Sequence, residues 1–261
     1  MKLFDSHAHL NDEKFDIDRE DVINKIRTSG VERLISAGYS LEGSKQAIEL
    51  AKKYDFIYST CGISPNDIPQ TEEELWKNIE EIEGLVTNNS KVVAIGEIGL
   101  DYYWEKDVEM RELQKKAFIK QIGLANKLEL PIVIHTREAV MDTLQILKEN
   151  TVVKKGVFHC CPLNRELVKE ALKLDFYISF AGPVTFKNSK NADEIIEMVP
   201  NDKMLIETDS PYLSPEPFRG KRNDSSNVRY VAQKIADVKK MTLEQIADIT
   251  YENANRIFNI V

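Results

Sequence analysis

The sequence predicts an α/β fold, a (β/α)₈ barrel formed as a single domain over residues 1–261. Three observations carry that prediction. Eight short apolar runs recur along the chain, amphipathic stretches at helical spacing separate them, and no Gly-rich phosphate loop follows an early run. The missing loop ranks a doubly wound open sheet second. At 261 residues the chain is also close to the length of one typical barrel, about 250 residues.

The expected strands are Leu3–Asp5, Arg33–Ala37, Phe56–Cys61, Val92–Ile95, Ile132–Ile134, Gly156–Phe158, Phe176–Ser179 and Met204–Ile206. Most are almost wholly apolar, as parallel strands covered on both faces must be. Between them, helical spacing appears at Glu20–Thr28, Ser44–Lys53, Glu72–Leu85, Glu109–Lys127, Ala139–Lys148, Arg165–Leu172 and Ala192–Met198. Asn227–Val238 follows the last strand, and then Leu243–Ile249 and Glu252–Phe258. Thr71 and Glu74 have the spacing of a capping box. No linker, low-complexity segment or internal repeat divides the chain, so one domain is expected.

Composition narrows the class. The 30% charged fraction leaves no run near the roughly 20 apolar residues of a spanning helix. The 42% hydrophobic fraction is too high for a disordered chain. Three cysteines, two of them adjacent, do not make a disulfide framework, and the N-terminus lacks a signal core. A reduced, cytoplasmic protein without an obligatory protein partner is expected. A net charge of −8 argues against a protein that coats DNA, although an enzyme can meet phosphate at a small site whose positive charge is metal.

The four histidines locate such a site. His7 and His9 follow the first strand, His135 the fifth and His159 the sixth, so all lie at C-terminal strand ends, the face where barrels build active sites. In extended backbone, residues two apart point to one side, so His7 and His9 can share an ion. Glu97, Glu207 and Asp209 also follow strands. Asp209 could instead cap a turn, and Asp101 could support a ligand without being one. Four imidazoles and several carboxylates exceed what one tetrahedral ion needs. They suit two divalent ions (zinc, magnesium or manganese) bridged by Glu97, with Asp209 holding the attacking water and accepting its proton.

Five blocks then resemble the TatD family of metal-dependent deoxyribonucleases, which are amidohydrolase-like barrels. They are Asp5-Ser6-His7-Ala8-His9-Leu10, Gly96-Glu97-Ile98-Gly99-Leu100-Asp101, Ile134-His135-Thr136-Arg137, Glu207-Thr208-Asp209-Ser210-Pro211 and Arg219-Gly220-Lys221-Arg222-Asn223 with Asn227-Val228. The resemblance covers essentially the whole chain. It implies that His7, His9, Glu97 and Asp209 ligate one metal and that Glu97, His135 and His159 ligate the second. It also implies hydrolysis of DNA phosphodiesters, often from the 3′ end, with Glu97 and Asp209 as the catalytic carboxylates. The bridging lysine of some related barrels has no counterpart, which sets the chain apart from the phosphotriesterase and dihydroorotase branches.

Two blocks depart from the family pattern. Cys61-Gly62-Ile63-Ser64-Pro65-Asn66 stands where the family reads Cys-Gly-x-His-Pro-His, and His159-Cys160-Cys161-Pro162-Leu163 where it reads His-Cys-Phe-Ser-Gly. Both departures alter residues expected to face substrate, Ser64 among them, and leave the ligands intact. They open an alternative, hydrolysis of a C–N or C–O bond in a small metabolite by the same metals. A barrel that keeps metals only for stability is disfavoured by so crowded a rim.

The expected substrate is a DNA strand end or a small phosphodiester. Arg219, Lys221 and Arg222 form a basic cluster that suits phosphate or simply a solvated loop. Arg137 suits an oxyanion or an ion pair with Asp142. Tyr102-Tyr103-Trp104 suits base stacking or lid packing. Cys160 and Cys161 read as small buried apolar residues.

Overall fold

A computed structural model describes residues 1–261 as one barrel. Its eight strands are β1 Leu3–Ala8, β2 Val31–Ser36, β3 Ile57–Cys61, β4 Val92–Asp101, β5 Ile132–Arg137, β6 Gly156–Phe158, β7 Tyr177–Phe180 and β8 Met204–Ile206. They form one parallel sheet in sequential order. The intervening helices are α1 Arg19–Thr28, α2 Leu41–Lys53, α3 Glu72–Thr87, α4 Val108–Leu128, α5 Val140–Glu149, α6 Arg165–Lys173 and α7 Ala192–Met198, followed by α8 Val228–Lys239 and α9 Leu243–Ile257. No helix is long and apolar enough to cross a membrane.

The last strand meets the first without a regular ladder. Asp209 N–H donates to His7 O (3.0 Å) and His9 N–H to Ser210 O (2.7 Å). Beneath them, buried Asp5 accepts from Thr208 N–H (2.9 Å) and Thr208 Oγ1 (2.5 Å). Burial pushes the Asp5 carboxyl up to about 7, against hydrogen bonds from Ser225 and Thr208 that favour its charged form. The residues that seal the barrel thus flank His7, His9 and Asp209.

The inward positions make a layered core. Phe4, Ile35, Val93, Val133, Val157, Tyr177 and Leu205, with Tyr58 against them, pack with Phe258 and Ile260 from the C-terminus. A second, larger apolar cluster lies between sheet and helices. Strand side chains repeat every two residues. One step above Val133, Val157 and Leu205 therefore stand His135, His159 and Glu207.

Three expectations are corrected. β4 does not stop at Ile95 but pairs with β5 as far as Asp101–Arg137, so Glu97 lies within a strand. The two tail segments are a single helix, α9, since nothing at Thr250–Tyr251 breaks it and Thr250 Oγ1 bonds back to Ile246 O (2.8 Å). At Thr71 the side chain accepts from Glu74 N–H but no return bond forms; the reciprocal box is Thr242 with Gln245.

Ahead of β4, Lys91 gathers a knot of backbone. Its Nζ lies within 2.7–3.0 Å of the carbonyls of Ala51, Tyr54, Asp55 and Ile57. An ammonium has three protons for these four acceptors, and burial lowers its pKa. Lys91→Met strips those carbonyls of their donor. It is expected to cost about 1–3 kcal/mol, seen as a lower urea midpoint at unchanged slope; an unchanged midpoint would show that water satisfies them equally well.

Candidate metal centre

Glu97 sits at the centre of the C-terminal rim with its two oxygens facing different partners. Oε1 lies 2.9 Å from His135 Nδ1 and 3.4 Å from His159 Nε2, and those two nitrogens are 3.1 Å apart. Oε2 lies 3.4 Å from His7 Nε2 and 3.6 Å from His9 Nε2, which are 3.2 Å apart. Asp209 Oδ1 joins the second group, 3.2 Å from His9 Nε2 and 3.7 Å from His7 Nε2. A tetrahedral ion with ligand bonds of about 2.0–2.2 Å separates its donors by about 3.3–3.6 Å. The spacings bracket that value, so the nitrogen and oxygen donors fit a borderline divalent ion on each side of Glu97.

The remaining ring nitrogens are largely committed. His135 Nε2 meets Asp101 Oδ2 at 3.0 Å, leaving Nδ1 to face Glu97. His159 Nδ1 meets Glu207 Oε1 at 3.3 Å, leaving Nε2 for the same carboxylate. Glu207 also accepts from Cys160 N–H (2.6 Å), where the chain turns through a left-handed conformation, φ 37°. Carboxylates behind ligating imidazoles fix ring orientation and raise basicity. Asp101 and Glu207 would therefore orient His135 and His159 as ligands, whereas His7 Nδ1 is buried without a partner.

The electrostatics follow from burial. Burial opposes ionisation of Glu97, but the His159 charge and hydrogen bonds from His135, His159 and His7 hold its carboxyl well below the usual carboxylate range. Burial disfavours a charged His159, yet Glu97 and Glu207 raise its pKa well above that of free imidazole. At Asp209, burial is likewise outweighed by His9, and the pKa falls. Divalent cations would supply the positive charge these carboxylates call for and leave the imidazoles neutral.

The centre floors a cavity of about 990 Å³. Its walls hold Ser64, Arg137 and Trp104, together with Asp12, Asn66 and Asp67, which the sequence reading did not single out. Ser64 is buried and its hydroxyl donates to Asp67 Oδ2 (3.1 Å). Arg137 does not pair with Asp142, which is held by Lys115 (2.8 Å) and Tyr102 (2.7 Å). Its guanidinium lies 3.8 Å over the Tyr103 ring.

The basic cluster is placed elsewhere, since Arg219, Lys221 and Arg222 are not among the residues lining the cavity. Arg222 is bound to Asp18 (2.5 Å), and Arg219 packs on Phe186 and donates to Asn188 (3.2 Å). Cys161 is buried and Cys160 partly so; burial raises both thiols far from the thiolate form.

Comparison with known proteins bears on this geometry. The family model for TatD-related DNases matches residues 4–259. The chain is 48% identical to the uncharacterised metal-dependent hydrolase YabD of Bacillus subtilis, over 99% of each chain. It is 38% identical to the uncharacterised metal-dependent hydrolase YcfH of Escherichia coli K12, over 100% of this chain and 97% of that one. In fold it is similar to YjjV, a TatD homologue of Escherichia coli K12, with a TM-score of 0.92 at 24% identity, covering 99% and 98% of the two chains.

Asp101→Asn should weaken divalent-metal affinity by about 10- to 100-fold, the usual effect of losing a carboxylate behind a ligand. Titration against a chromogenic chelator measures it, and wild-type affinity in the variant would show that His135 is held without Asp101.

Proposed function

The chain belongs to the family of TatD-related DNases and is a metal-dependent hydrolase, and on that premise we propose that it removes nucleotides from the 3′ end of DNA with two divalent ions, zinc, magnesium or manganese. The observation that carries this reading is the split of Glu97, one oxygen toward His7 and His9 and the other toward His135 and His159. Two ions so placed would clamp the phosphoryl oxygens and lower the pKa of a water. Glu97 would hold both ions. Asp209, beside His9, would orient the attacking water and take its proton. His7, His9, His135 and His159 would hold the ions as neutral imidazoles and so leave the ions' charge available to the substrate.

The cavity supports a strand end over a long duplex. Five carboxylates line it (Asp12, Asp67, Glu97, Asp101 and Asp209), and Arg137 is the one lysine or arginine among the lining residues. One cation and two ions match one or two phosphates. The same acidic wall favours the second reading, a C–N or C–O bond in a small metabolite, since Ser64 paired with Asp67 offers no positive charge.

After chelation and reconstitution with zinc, manganese or magnesium, the protein is expected to bind two ions per chain and to release mononucleotides from 3′-labelled single-stranded DNA. Glu97→Ala should abolish the activity and Asp209→Asn should lower kcat about 10²- to 10⁴-fold. Turnover of small amides with inert phosphodiesters would overturn the nuclease reading in favour of the second.

A further inference from the structure

Asp101 serves two masters. Its Oδ2 accepts from His135 Nε2 (3.0 Å) and Asn66 Nδ2 (3.3 Å), and its Oδ1 accepts the backbone N–H groups of Tyr103 (2.9 Å) and Trp104 (3.0 Å). The carboxylate that orients a ligand imidazole thus also hangs the loop bearing two large aromatic rings. That loop is anchored again at Tyr102, whose carbonyl accepts from Lys106 (2.6 Å) and Arg111 (3.1 Å) and whose hydroxyl donates to Asp142 (2.7 Å).

A backbone held this firmly nevertheless leaves its rings in water. Trp104 is 67% exposed and Tyr103 40% exposed, edge to face with centroids 4.8 Å apart. Arg137 lies 3.8 Å over Tyr103 and 5.7 Å from Trp104. Its sequence neighbour Glu138 faces Lys106 (3.7 Å), and Asp142 is held by Lys115, so the guanidinium stacks and its charge is left for another anion. Trp104 and Arg137 line the same cavity as Glu97 and His135.

Resting on the phosphodiesterase reading, we propose that Tyr103, Trp104 and Arg137 form a stacking subsite for one unpaired nucleobase adjoining the metal centre. An exposed indole takes the π-face of any base. A stacked arginine keeps the edge of its planar fork for the phosphate attached to that base. A base stacked between neighbours inside a duplex has no free face to offer the indole, so an internal paired base must unstack before it can bind there. Asp101 sets the register between the stacked base and the ligand His135, which makes it a positioning residue for substrate as well as for metal.

The chain has two tryptophans, Trp76 and Trp104, so Trp76→Phe makes emission report on Trp104 alone. In that background, the metal-loaded protein is titrated with an eight-residue phosphorothioate oligothymidine, with the same strand made abasic at its two 3′-terminal residues, and with a covalently closed circular duplex, which has no terminal base face. Quenching by the intact single strand, and little by the other two, is expected. Trp104→Ala should weaken binding of the intact strand, read by anisotropy, roughly 5- to 150-fold, the range one base–aromatic stack spans. Trp104→Phe should restore most of it, and the abasic strand should bind wild type and Trp104→Ala alike.

Equal losses on the intact and abasic strands, or none on either, would overturn the subsite and leave the rings as lid packing. Quenching by the duplex as strong as by the single strand would also overturn it. Base-dependent binding without cleavage of an ordinary phosphodiester strand would defeat the hydrolytic reading and leave the subsite standing. Cleavage indifferent to Trp104 would do the reverse.

Discussion

The shared carboxylate of Glu97 is the constraint on which the rest of the rim depends. A carboxylate this buried stays ionised only where positive charge compensates it, and here four imidazoles converge on its two oxygens. Those imidazoles need orientation in turn, which Asp101 and Glu207 supply to His135 and His159, and each of these carboxylates is itself tied to backbone N–H groups. The arrangement is a chain of obligations outward from one residue. Cations between the donors would let the histidines be neutral and relieve the charge balance that protons otherwise carry.

The barrel meets this demand by strand periodicity. An inward apolar layer at Val133, Val157 and Leu205 gives way one step later to His135, His159 and Glu207. The polar layer therefore inherits the rigidity of the packed one below it. β1 departs from that simple alternation, with register shifts on both sides of Phe4–Asp5. At the same seam the sheet closes by Asp5–Thr208 and by the backbone bonds of His7 and His9 to Asp209 and Ser210 in the loop that follows β8. Closure and metal binding thus share one stretch of chain.

The fold and the clustering of the candidate ligands were legible because both rest on local pattern. Apolar runs mark covered parallel strands, and a histidine just after such a run has only one place to be in a barrel. The extent of β4 was hidden because Gly96, Glu97 and Gly99 look like loop residues, and pairing with β5 rather than composition keeps them in the strand. The basic cluster misled for a different reason. Arg222 is neutralised by Asp18, 204 positions away, and no local signal announces such a partner. Lys91 was silent for the same reason, its acceptors being backbone carbonyls of other segments. Asn66 lay inside, and Asp67 just after, a block read only for the histidine it lacks.

The formal charge of −8 takes on a different meaning once position is included. Five carboxylates line the cavity; three of them, Glu97, Asp209 and Asp101, meet imidazole nitrogens directly, Asp101 from the far side of the His135 ring. Two divalent ions would reverse the sign at the floor, while Asp12 and Asp67 add two further carboxylates to the cavity wall. A long polyanion would be repelled along that wall, whereas a strand end needs favourable potential only at the floor and beside Arg137. Net acidity and action on a nucleic-acid end are therefore compatible. On the nuclease reading, the acidic wall would limit how much of the polymer can enter, and the metal floor would decide which phosphate is held.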